Sequence, residues 1–173
     1  MAVYSKIYED EKILQLSSNY KNVLLLGCGG CANESLAFTN HTPIYVATKE
    51  ENVETAIEKS EIIPYSVKNE CERIKQLLES RGHQVLYSLI PLSQNTLCIR
   101  HSGAKYDFNP NTQFVPDVIL TVSCSAGAYG IYEDVNKSVP VYSIMQSCGQ
   151  LAYYYEDLHG ERKIVYDKSD IIC

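Results

Sequence analysis

Short apolar runs with no polar alternation limit most how this chain can fold. NVLLL at 22–26, PDVILTV at 116–122 and VPVYSI at 139–144 are rich in β-branched and aliphatic residues and bounded by polar or turn residues. A run that is apolar at every position suits a strand covered on both faces, as in a parallel sheet. Strands are therefore expected at 23–26, 43–47, 118–122 and 139–144, with 84–90 a less pure fifth. Helical periodicity lies between them. Within 66–81, Val67, Cys71, Ile74 and Leu78 fall on one face, Ser66 is placed to cap the start, and Gly82 stands where a left-handed residue ends a helix. Two further helical patterns, at 5–16 and 125–135, and a looser one at 49–63 complete an alternation of strand and helix. The expectation is an α/β fold, with a mostly parallel flavodoxin- or Rossmann-like sheet. Toward the C-terminus, His159-Gly160 sits between aromatic and aliphatic stretches, which predicts an antiparallel hairpin.

A chain of 173 residues suits one domain with one core, so residues 1–173 are read as a single unit. The formal net charge of -6 argues against a nucleic-acid partner, which would need a basic surface. No apolar run approaches the ~20 residues a membrane span needs, and the polar start MAVYSKIYEDEKI has no signal-peptide core. A cytoplasmic protein with no membrane partner is expected.

Seven cysteines are too many to pass over, and an odd count in a reducing compartment fits disulfides poorly. Their positions are informative. Cys28 and Cys31 follow the first predicted strand within NVLLLGCGGC. Cys124 follows VILTVS, Cys148 comes shortly after VPVYSIM, and Cys98 follows the strand at 84–90 by a polar bridge. All five lie beyond the carboxyl ends of strands, where open α/β sheets bind ligands. Thiolates gathered there are suited to metal ligation, and a Cys-x-x-Cys spacing lets two sulfurs reach one centre. Gly27, Gly29 and Gly30 keep bulk away and can take positive φ, bringing bare amides close to cluster sulfides. Cys71, in the apolar stripe of a helix, reads as core packing. The fourteen tyrosines suggest half-buried surface, with a partner interface as a second use.

These residues carry a resemblance. NVLLLGCGGC, NTLCIR, PDVILTVSCSAGAYG and VPVYSIMQS, in that order across about residues 20 to 150, resemble the cysteine-rich, zinc-binding C-terminal domain of methylenetetrahydrofolate reductases. In some anaerobic bacteria that domain is a separate small subunit of the flavin-containing enzyme. The resemblance implies a metal centre on Cys28, Cys31, Cys98 and Cys124, with Cys148 as a substitute ligand or a neighbour. It also implies an accessory or electron-transfer role in one-carbon metabolism. The partner would be a flavin-containing reductase or another redox subunit; a homo-oligomer is a further partner class. Where the family carries another cysteine and Gly-Gly-Glu after the first pair, this chain has ANES, and it lacks the family's extra ferredoxin-like motif.

A [4Fe–4S] cluster and Zn2+ both take four cysteines. The flanking glycines favour the cluster, and a zinc-stapled interaction module is the alternative. A rival of another class is a dinucleotide site, since GCGGCA fits G-x-G-x-x-A after a strand, with Glu50 or Glu51 roughly 20 residues on. A thiol enzyme is a third option, although no His lies close in sequence to Cys28, Cys124 or Cys148.

Overall fold

Val23, Leu24, Leu25 and Leu26 are at most 1% exposed, and the strand they form, β2 (Asn22–Cys28), organises the structure. The structure, a computed structural model, describes residues 1–49, 52–90, 111, 113–135 and 137–172. In it β2 is flanked on both sides by parallel partners. β5 (Gln84–Ile90) runs beside it from Asn22 opposite Gln84 to Cys28 opposite Ile90. On the other side β6 (Val118–Val122) pairs with it up to Gly27 opposite Val122, and β7 (Val141–Ser143) lies beyond β6. The order is thus β5-β2-β6-β7. The central strands β2 and β6 are covered on both faces, whereas the edge strands β5 and β7 are largely half-buried.

The expectation of one mostly parallel, flavodoxin- or Rossmann-like sheet is overturned. Only this four-stranded sheet is parallel, and two antiparallel sheets accompany it. One has the order β1-β8-β11, from β1 (Ala2–Ile7), β8 (Met145–Ala152) and β11 (Asp170–Ile172). The other has the order β4-β3-β10-β9, from β3 (Tyr45–Ala47), β4 (Ile62–Pro64), β9 (Tyr155–Leu158) and β10 (Glu161–Ile164). The run at 43–47 was expected beside β2, but its three strand residues pair instead with β4 and β10. The His159-Gly160 turn joins β9 to β10, with both residues at positive φ, 52° and 76°. Such a two-residue turn matches the twist of a hairpin.

The helices are α1 (Asp10–Ser17), α2 (Cys31–Asn40), α3 (Val53–Glu58), α4 (Tyr65–Glu79) and α5 (Ser125–Asp134). The helix expected over 5–16 splits, because Ala2 and Tyr4 are buried while Val3 is exposed, the period of a strand. In α4, Val67, Cys71, Ile74 and Leu78 are all fully buried on one face, packed toward β2 and β5. Ser66 does not cap this helix; its hydroxyl donates to the Pro43 carbonyl at 2.8 Å. Gly82 takes the left-handed conformation, φ 89°, just past the helix end. Among the described residues no helix is long and apolar enough to cross a membrane.

Two cores result. The larger surrounds the parallel sheet and is almost wholly aliphatic, from Ile13 through Leu24 and Ile74 to Ile144. The smaller joins Tyr4, Ile44, Tyr45, Leu151 and Ile164 and is bordered by Phe38, Tyr153 and Tyr166.

Candidate metal centre

β2 ends in Cys28, and α2 begins at Cys31 after a turn made by Gly29 and Gly30. Next to it, β6 ends at Val122 and α5 starts from Cys124 as its N-cap. The chain leaves β2 toward β5 on one side and returns to β6 on the other. The carboxyl ends of these two neighbouring strands therefore flank the point where the connections diverge, the usual place for a ligand crevice. Both helices start without a side-chain cap from their N-cap residue, so first-turn amides and the positive dipole end face the region of the thiols.

Cys28 is 5% exposed and belongs to the aliphatic core, whereas Cys31 is half-buried and packs against the aromatic one. The C-G-G-C turn thus lies on the seam between the two cores. It is held from both sides. The Gly29 amide donates to the Ile90 carbonyl at 3.0 Å, extending the β5 ladder by one step. The Gly29 carbonyl accepts from the buried Tyr45 hydroxyl at 2.7 Å. Behind it, the Asn33 amide group donates to the Ile44 carbonyl at 2.7 Å and accepts from the Val67 amide at 2.9 Å. One buried Asn therefore ties α2, β3 and the start of α4 together.

Gly27 has a packing reason of its own: a Cβ there would meet Leu89 Cδ2 at 2.7 Å and Cys71 Sγ at 2.8 Å. The glycines were expected to use positive φ. Among the described glycines only Gly82 and Gly160 do, and Gly30 has φ -91°.

The β7–β8 connection lies close by. Ser143 Oγ donates to the Ser123 carbonyl, one residue before Cys124, at 2.8 Å. Cys148 is exposed and falls at an irregularity where Tyr4 pairs with Gly149 but Ser5 with Ser147. It is the extra residue of a β-bulge, a device that re-aims side chains. Its Sγ lies 3.1 Å from the Gln146 carbonyl. The adjoining hydroxyls form a chain, with Ser147 3.2 Å from Ser5 Oγ, and Ser35 Oγ accepting from the Ser5 amide and donating to the Cys31 carbonyl at 2.7 Å.

Sequence reasoning passed over a carboxylate here. Glu34, one turn after Cys31, accepts from the Tyr153 hydroxyl at 2.6 Å. Burial raises its pKa above the ordinary carboxylate range, against the pull of the Tyr153 hydrogen bond and the N-terminal ammonium. Burial, then the charges of Glu34 and Cys28, raise the Tyr45 hydroxyl far above the usual phenol range, so it remains a donor. The i, i+3 spacing from a candidate ligand was the available signal for Glu34.

The structure thus brings Cys28, Cys31 and Cys124 to one rim and places Cys148 on a neighbouring bulge. Among the described residues, no three His, Cys, Asp or Glu side chains stand together as a ready metal-ligand group. Cys98, Glu50 and Glu51 lie outside the described residues. Comparison with protein-family models, with curated proteins and with solved structures found no match. The family resemblance therefore rests on the quoted stretches alone.

Proposed function

We propose that the chain is a cysteine-ligated metal protein, with Cys28, Cys31, Cys124 and Cys98 holding a [4Fe–4S] cluster, Zn2+ being the alternative occupant. Its role is that of an accessory or electron-transfer subunit of a methylenetetrahydrofolate-reductase-like oxidoreductase. One observation carries the reading: Cys31 opens α2 and Cys124 is the N-cap of α5, at the carboxyl ends of the two strands where the sheet's connections diverge. The donor chemistry fits, since soft thiolates with helix dipoles behind them suit either occupant. Closing the group requires the thiols to turn toward one another and the fourth to join them. When bound, the cluster supplies one-electron transfer, and zinc supplies a crosslink.

The dinucleotide alternative loses support. A dinucleotide fingerprint needs its helix to lead to a neighbouring parallel strand, whereas α2 leads to β3 in an antiparallel sheet. The first glycine's space is filled by Leu89 and Cys71.

A second reading is favoured by Cys31 being half-buried at a helix start. Cys28 and Cys31 could work as a dithiol, each losing a proton and together giving two electrons to an acceptor disulfide as they form their own. Anaerobic purification with iron, zinc and acid-labile sulfide analysis separates the two. The metal reading expects about one centre per chain in the wild type, lost in Cys28→Ser and Cys124→Ser. Full metal stoichiometry in both variants, or none in the wild type, would refute it.

A further inference from the structure

Sheet β4-β3-β10-β9 has no cysteine on its described strands, yet one of its hydroxyls is hydrogen-bonded to the turn between the two cysteines. Tyr45, 3% exposed, stands at the start of β3, and its hydroxyl meets the carbonyl of Gly29, between the two cysteines. Tyr45 packs in the aromatic core while Cys28 packs in the aliphatic one, so this hydrogen bond spans the seam. The turn's other anchor, from Gly29 to Ile90, comes from the parallel sheet. Two anchors on opposite sides of one glycine fix how Cys28 and Cys31 face each other.

We infer that Tyr45 is a positioning residue for the metal centre, its hydroxyl holding the C-G-G-C turn in the shape that lets both sulfurs reach one metal. The inference rests on the metal reading above. Outer-shell partners of this kind typically change metal affinity by about 10- to 100-fold when removed. Tyr45→Phe keeps the ring and deletes only the hydroxyl. Tyr4→Phe makes the same change at a residue equally buried in the same core, where the hydroxyl meets Thr39 at 3.2 Å and not the turn.

The experiment loads wild type, Tyr45→Phe and Tyr4→Phe anaerobically with ferrous iron and sulfide, and separately with Zn2+ alone. Metal loss to a chelator is then followed by thiolate charge-transfer absorption for the cluster and by a zinc dye for zinc. Unfolding midpoints of the metal-free proteins show that each variant folds. The expected result is about 10-fold or greater faster loss from Tyr45→Phe, with Tyr4→Phe matching wild type. Wild-type retention in Tyr45→Phe would overturn the inference while leaving the metal reading intact. So would equal losses in both variants that track their unfolding midpoints. Failure of the wild type to bind either occupant removes the metal reading itself, and this inference with it.

Discussion

The aliphatic core around β2 and the aromatic core around Tyr45 solve the burial problem in opposite ways. Around β2 every side chain in the run from Val23 to Leu26 is covered, and helix α4 lies so close that Gly27 leaves no room for a Cβ. Burial there rests on shape and area. In the second core, rings meet at angles, Phe38 with Tyr4 and Tyr166 at centroid distances of 6.2 and 5.6 Å, and hydroxyls reach backbone carbonyls. Tyr166 donates to Ala37 at 2.9 Å and Tyr45 to Gly29 at 2.7 Å. The first core supplies stability, and the second supplies direction to a turn that it touches with few atoms. The C-G-G-C segment lies where the two meet.

The sharpest way to break this comparison is to cut into the aliphatic side. Leu25→Ala removes a fully buried side chain from the central strand, and such truncations cost about 2–5 kcal/mol. Denaturant unfolding followed by tyrosine circular dichroism and by far-ultraviolet signal should show both transitions shifted together. A loss under about 1 kcal/mol would mean that β2 is not the dominant source of stability.

A smaller effect is expected from Gly27→Ala. The added methyl must displace Leu89, Cys71 or Val67, and overpacking of this kind costs about 1–3 kcal/mol. Pairing it with Cys71→Ala should return part of the loss, measured as a double-mutant coupling. Additive effects would show that the contact with Cys71 is not what crowds the site.

The smallest effect, read by its sign, belongs to Glu34 on the aromatic side. Folding raises its pKa, mainly by burial. The folded state therefore favours the protonated carboxyl, a contribution full below the ordinary carboxylate range and lost as pH rises through the raised value. Glu34→Gln mimics the protonated form. Its stability relative to wild type should stay level in acid and then shift in the variant's favour toward neutrality. A difference moving the other way would show that the ionised carboxylate is the stabilised form.

The same contrast explains what could be read from the chain. β2, β6 and the buried face of α4 were legible because residues covered on both faces, or on one helical stripe, leave a pattern that nothing else makes. The thiols at the ends of β2 and β6 were legible for the same reason, since a strand that is clear in sequence also fixes where its carboxyl end falls. Of the antiparallel strands, the run at 43–47 and the hairpin around His159-Gly160 were expected, whereas β4, β8 and β11 were hidden. β8 reads MQSCGQLA and is exposed over much of its length, so its composition is that of a loop. The end of β1 was absorbed into the helical pattern expected over 5–16, because Ile7 and Leu14 lie seven residues apart and share a helical face. Glu34 escaped notice because its burial depends on Tyr153, distant in the chain. The expected sheet failed at 43–47, where pairing was set by partners from the C-terminal hairpin and β4.

Cys71 has no measurable exposure and presses on Gly27 in the middle of the aliphatic core, where burial raises its thiol pKa far above the ordinary range. No alkylating reagent can reach it while α4 is docked on β2. Its labelling rate is thus a built-in clock for opening of the whole core, whereas the exposed Cys148 labels at once and marks time zero.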